Sequence, residues 1–156
     1  MNYIILVIGI GLVLFLFYRN ANMKKQALEN KGVGDTFLAQ NKLQDGVCET
    51  DSGLQYKVML KGHGTKHPVS SSTVKVHYHG TLLDGSVFDS TIAREQAISF
   101  PLNQVIKGWT EGLQLMVVGD KFKFFIPAHL GYGNRAAGKI SAGSVLIFEV
   151  ELLDIQ

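Results

Sequence analysis

The stretch YIILVIGIGLVLFLFY, Tyr3 to Tyr18, carries no charge and is followed at once by Arg19. A small folded domain has no room for it, because a helix apolar all round must be covered on every side. At about 1.5 Å of rise per residue a helix needs about 20 apolar residues to cross a hydrocarbon core ~30 Å thick. This run falls just short of that, with Met1, Asn2 and Arg19 at its flanks and Tyr3 and Tyr18 where interfacial aromatics are expected. A cleaved secretory signal would want a basic start and a small residue pair before the cut. The chain offers no Lys or Arg before the run, and Tyr18-Arg19-Asn20-Ala21-Asn22 is a poor cleavage site. Residues 1–21 are therefore expected to be an uncleaved, single-pass membrane anchor. Arg19, Lys24, Lys25 and Lys31 all follow it, which by the positive-inside tendency places the remainder in the cytoplasm, with the periplasm as the alternative.

Residues 22–51 read as a polar linker helix, a solvated spacer interrupted at Gly32-Val33-Gly34 and restarted by Asp35 or Thr36 as a cap. Phe37, Leu38 and Leu43 give it a small apolar face before Asp45-Gly46 stops it. From Ser52 the hydrophobic period shortens to two, which marks a β-rich domain over residues 52–156. Leu54, Tyr56, Val58 and Leu60 alternate in one strand; Val74, Val76, Tyr78 and Leu82 form the next, closed by the turn dipeptide Asp84-Gly85. Ala97 to Leu102 predicts a short strand. Val105, Ile106, Trp109 and Leu113 share one stripe of a helix, and KFKFFI and SVLIFEVELLDI predict two more strands. The fold class is α+β: an antiparallel sheet, a half-barrel, curled over one short helix, with the N-terminal transmembrane and linker helices ahead of it.

At 156 residues with a net charge of +2, the chain is long enough for one domain and shows no basic stripe for nucleic acid. Its single cysteine, Cys48, falls in the linker and has no cysteine partner for a disulfide or a zinc site. His63, His67, His77, His79 and His129 invite a metal site, but neither an HExxH nor a recognisable ligand spacing accompanies them, so they read as scaffold or surface groups. No serine sits in a GxSxG elbow. No cofactor is expected. What remains is aromatic: Tyr78, Phe88, Phe100, Trp109, Tyr132 and Phe148 come from different elements, mostly near strand ends or the helix start. Any one of them is ordinary core. Together they imply an apolar bowl, with Asp89 as a polar group at hand.

The runs VKVHYHGTLLDGSVFDST, FPLNQVIKGWTEGLQLMVVGDKFKFFIPAHLGYG and SVLIFEVELLDI closely resemble the FKBP-type peptidyl-prolyl cis-trans isomerases, over about Gly53 to Ile155. The preceding GDTFLAQNKLQDGVCETDSGLQYKV resembles the macrophage infectivity potentiator branch, with the family's long dimerising helix replaced here by the transmembrane run and a short linker. The resemblance implies that Tyr78, Asp89 and Tyr132 are the catalytic residues. It implies a substrate-binding set of Phe88, Arg94, Phe100, Val105, Ile106, Trp109, Ile140 and Phe148. In the family the counterpart of Trp109 floors the pocket, and the Ile106 amide and Tyr132 hydroxyl hold carbonyls of peptide or inhibitor. Asp89 has two readings, a contact to the rotating carbonyl or a partner of Arg94 that holds its loop. Two departures affect the rim: AAGKISAGS where a Pro-Pro pair is usual, and Ile98 where an aromatic is common.

The implied function is isomerisation of X-Pro bonds during protein folding, without a covalent intermediate. Its partners would be proline-containing polypeptides, macrolide inhibitors and the membrane reached by the N-terminal helix. The alternative is a membrane-tethered peptide-binding or holdase chaperone module with little turnover.

Overall fold

The computed structural model describes the backbone of residues 2–156 and the side chains of residues 8–156. Its first element, α1 (Asn2–Asn41), is one unbroken helix of 40 residues. The expected break at Gly32-Val33-Gly34 does not occur. Glycine costs a helix interior about 1 kcal/mol relative to alanine, and here packing outweighs that cost. A Cβ on Gly34 would lie 2.6 Å from Val145 Cγ2, so the bare glycine lets α1 lie close on the sheet domain.

The two ends of α1 differ. Over residues 27–41 it is seated. Ala27 is buried, the Phe37 ring lies 6.0 Å from that of Phe125, and Asn41 Nδ2 donates to Gln55 Oε1 at 2.8 Å. The fully buried Gln55 amide donates in turn to Leu38 O and Glu49 Oε2, so neither end of that side chain is left unpaired. The large apolar side chains from Ile8 to Tyr18, by contrast, are 46–69% exposed. The expectation of a membrane-crossing segment is not met: among the described residues no helix is long and apolar enough to cross a membrane. Tyr3, expected at its outer interface, is outside the residues whose side chains are described.

Seven strands form one sheet in the order β1-β2-β6-β7-β3-β4, every pair antiparallel, with β5 also on β3. They are β1 (Val47–Glu49), β2 (Gln55–Leu60), β3 (Thr73–Thr81), β4 (Val87–Ser90), β5 (Ile98–Pro101), β6 (Lys121–Ile126) and β7 (Leu146–Ile155). β1 corrects the sequence reading, which left Cys48 in a linker ahead of the sheet: Cys48 is exposed, but it pairs with Tyr56 across β1 and β2. A three-residue strand is too short to show a period.

Alternation decides which face is core. Val74, Val76 and Tyr78 of β3, Phe122, Phe124 and Ile126 of β6, and Phe148, Val150 and Leu152 of β7 share one buried cluster. Phe125 points the other way, yet is 6% exposed because α1 covers it. The domain helix α2 (Lys107–Leu113) lies on the core face. Its close approach depends on Gly108 and Gly112, where an added Cβ would come within 2.6 Å of Ile126 and Phe124 side-chain carbons. α2 is shorter than the sequence stripe suggests. Val105 and Ile106 have extended backbones ahead of it, so only Trp109 and Leu113 of the four stripe residues are helical.

Candidate active site

Four strands and α2 bring together five of the expected aromatic rings. Trp109 stands at their centre, edge-on to Tyr78 at 5.1 Å and 86° and to Phe148 at 5.0 Å and 82°, and tilted against Phe100 at 5.2 Å. Phe88 joins through Phe148, ring centroids 5.2 Å apart at 85°. Edge-to-face pairs at such separations contribute about 0.5–1.5 kcal/mol each beyond area burial. The rings meet because Gly80 in β3 leaves space: a Cβ there would fall 2.6 Å from the Phe88 ring and 2.9 Å from that of Phe148. Gly80 was not among the expected site residues. A glycine inside a strand otherwise rich in β-formers was the available sign of close approach.

Asp89 forms the polar edge. One carboxylate oxygen accepts from the Tyr78 hydroxyl and the other from the Arg94 guanidinium. Partial burial pushes the Asp89 carboxyl up, but the bonds from Tyr78 and Arg94 and the Arg94 charge outweigh it and hold it below the usual carboxylate range. Burial, seconded by the bond to Asp89, raises the Tyr78 hydroxyl above its ordinary value. Both groups thus keep the forms their hydrogen bond needs, carboxylate and phenol. Thr91, also unexpected, locks Tyr78 in place: its fully buried Oγ1 accepts from Tyr78 N at 2.8 Å and donates to Tyr78 O at 3.2 Å.

The rings and the carboxylate open onto a cleft of about 980 Å³. Tyr78, Phe88, Asp89, Phe100, Val105, Ile106, Trp109, Tyr132, Ile140 and Phe148 all line it, so ten of the expected residues share one hollow. Arg94 does not line it but is ion-paired to Asp89, which does. Ile106 occupies the N-cap of α2, where backbone N–H groups lack intrahelical acceptors. Tyr132 is half exposed at the rim, and the Trp109 indole N–H is buried without a hydrogen-bond partner among the described residues. His129, which the sequence reading placed with the scaffold histidines, also lines the cleft. His77 and His79 do not; their Nδ1 atoms sit 3.0 Å from Thr91 Oγ1 and Ser90 Oγ, bracing β3 on β4. No serine, threonine or cysteine is among the described lining residues.

Comparison with known proteins agrees with this geometry. Residues 64–153 match the family described as FKBP-type peptidyl-prolyl cis-trans isomerase, and residues 16–58 match the domain amino terminal to it. An FKBP-type peptidyl-prolyl cis-trans isomerase FkpA of Aeromonas hydrophila is 54% identical over 136 residues, which cover 87% of this chain and 50% of that protein. The outer membrane protein MIP of Legionella longbeachae is 47% identical over 88% of this chain and 59% of its own length. The chain thus spans about half the length of these curated relatives. The crystal structure of FkpA from Escherichia coli superposes with a TM-score of 0.84 at 39% identity, covering 94% of this chain and 71% of that one. By sequence over most of its length and by fold, the chain belongs to the FKBP-type peptidyl-prolyl cis-trans isomerase family.

Proposed function

We propose that this chain accelerates rotation about X-Pro bonds of polypeptides in the cleft floored by Trp109, without a covalent intermediate. The observation that carries this reading is the convergence of five rings and one paired carboxylate on a single hollow. Rotation of the imide loses amide resonance against a barrier of ~18–20 kcal/mol. The twisted form has also lost its charge-separated resonance structure, so a dry apolar wall disfavours the planar ground state relative to it. Removing about 7 kcal/mol, about five decades at ~1.36 kcal/mol each, would bring a process of tens of seconds to the millisecond range.

In this reading the prolyl ring sits on the indole among Phe88, Phe100, Val105 and Phe148. The Ile106 N–H and Tyr132 hydroxyl hold flanking carbonyls. Asp89, kept ionised by Arg94 and aimed by Tyr78, faces the carbonyl that turns. Macrolide inhibitors would compete for the same surface. The deciding experiment is a protease-coupled assay of a Leu-Pro or Phe-Pro peptide with the full chain in detergent micelles. Acceleration that a proline-mimicking competitor abolishes is expected. Peptide binding without acceleration would turn the reading into that of a tethered chaperone module.

We also propose that the apolar end of α1, residues up to Tyr18, seats the chain on a membrane. The exposed side chains from Ile8 to Tyr18 support it, with Arg19, Lys24 and Lys25 next along the helix. Flotation with lipid vesicles, lost when Leu12, Leu14 and Phe15 become serines, is the expected result. Equal recovery of both proteins in the lipid-free fraction would end the proposal.

A further inference from the structure

We propose that Asn30 of α1 is a positioning residue for the cleft: it fixes the rim loop 133–143, and through that loop the places of Ile140 and Tyr132. The proposal rests on the isomerase reading above.

The loop is held at its C-terminal half by burial of Ile140, 6% exposed in the core cluster, and of Ala142. It contains no proline, and Gly138 and Gly143 sit at φ of +56° and +77°. Its internal backbone bonds are a tight bridge, Ala137 N to Ile140 O and Ile140 N to Ala137 O, each 2.9 Å, and a closing bond between its ends, Gly143 N to Gly133 O. That bridge shapes the turn but does not say where the turn stands relative to Trp109. Further anchoring comes from residues more than a hundred positions earlier. Asn30 Nδ2 donates to Ala142 O at 2.8 Å and to Ser141 Oγ at 3.1 Å.

One helical turn earlier on the same face, Ala27 is buried against Gly143, whose position leaves no space for a side chain: a Cβ there would collide with Ala27 O and lie 2.9 Å from Ala27 Cα. Gly143 N in turn donates to Gly133 O at 2.8 Å, directly after Tyr132. One face of α1 therefore holds both ends of the rim: Ile140 through Ser141 and Ala142, and Tyr132 through Gly143 and Gly133. The floor has no such dependence, since α2 and the core strands build it.

Rim contacts to the flanking chain are made alike in ground and transition states, so loosening them raises KM and leaves kcat. Asn30→Ala is expected to raise KM about threefold to tenfold with kcat within about twofold of wild type. Asn30→Asp, the same shape without the donor, should match it. Gly143→Ala, which pushes the loop off the helix without touching Asn30, should do the same. Amide hydrogen exchange across residues 136–143 should quicken in all three variants, while α2 stays as protected as in wild type.

Unchanged KM and unchanged loop exchange in Asn30→Ala and Gly143→Ala overturn the proposal. So does a fall in kcat at constant KM, which would mean that the floor had moved. Absence of turnover in the wild-type chain defeats the isomerase reading instead, and loop exchange then still decides whether Asn30 positions the rim. If Asn30→Ala loses its folded circular-dichroism signal, Gly143→Ala carries the test alone.

Discussion

Trp109 is 5% exposed and faces three other rings, whereas Tyr132, on the same cleft, is 39% exposed and belongs to none of those ring pairs. The floor is over-determined: strands β3, β4, β5 and β7 and helix α2 each supply a ring, and the indole keeps its place even if one contact is lost. The rim is held by a few backbone bonds, by the buried Ile140 and by a helix from the other end of the sequence. A floor built as core ties activity to stability. A rim built from hydrogen bonds lets substrate binding vary at small cost to the fold.

The largest expected effect tests the floor. Trp109→Ala removes the centre of the ring cluster and should destabilise the protein by about 3–5 kcal/mol, the usual range for an aromatic truncated in a core. Turnover should fall at least about tenfold in the same protein. Denaturant unfolding and the peptide assay read the two together, and a variant of normal stability without activity would show that the floor is not core. Next, Gly80→Ala overpacks Phe88 and Phe148 and should cost about 1–3 kcal/mol. A neutral Gly80→Ala in the same unfolding measurement would mean that these rings can shift freely.

How far the sequence reached follows the same division. Tyr78, Phe88, Phe100, Trp109 and Phe148 were legible because period-two strands and one helical stripe place them inward, and the family resemblance places them together. Their shared hollow is what the structure adds. Gly80 and Thr91 were missed, since neither a strand glycine nor a strand-end threonine announces that it makes room for rings or clamps a tyrosine. The run of α1 through Gly32-Val33-Gly34 was hidden for a different reason. Local propensity argued for a break, and packing on residues far along the chain, such as Gly34 on Val145, more than a hundred residues away, overrides it. Phe125 held a clue: placed beside Phe124, one of the two must face away from the core, so something had to cover it.

Between floor and rim stands the carboxylate edge, and Asp89→Asn should lower kcat/KM about tenfold, ~1.4 kcal/mol of transition-state stabilisation. Its side chain is 39% exposed, so solvent screening keeps its share of stability small. The sign of the pH dependence follows from the folded carboxyl lying below its unfolded value. Its contribution is complete above the unfolded pKa of about 3.9 and is lost as pH falls through the lower folded one. Tyr78, shifted upward, keeps its proton beyond the ordinary value of about 10, and its share fades only as pH rises past that. Neither group should therefore shape the activity profile between about pH 5 and 9. An Asp89-dependent limb near neutrality, present in wild type and absent in Asp89→Asn, would contradict the ion pair.

The smallest effect should come from Tyr132→Phe, and it separates floor from rim most cleanly. The substitution removes one hydroxyl from a half-exposed ring and leaves every floor contact in place. Stability should change by no more than about 0.5 kcal/mol. If that hydroxyl holds a flanking carbonyl equally before and during rotation, KM rises about twofold to fivefold and kcat stays. A matching loss in kcat alone would give Tyr132 a bond made only in the transition state and move it from rim to reacting centre. The two results differ in the same assay, so this change, slight in magnitude, tells which part of the cleft binds the chain and which part turns it.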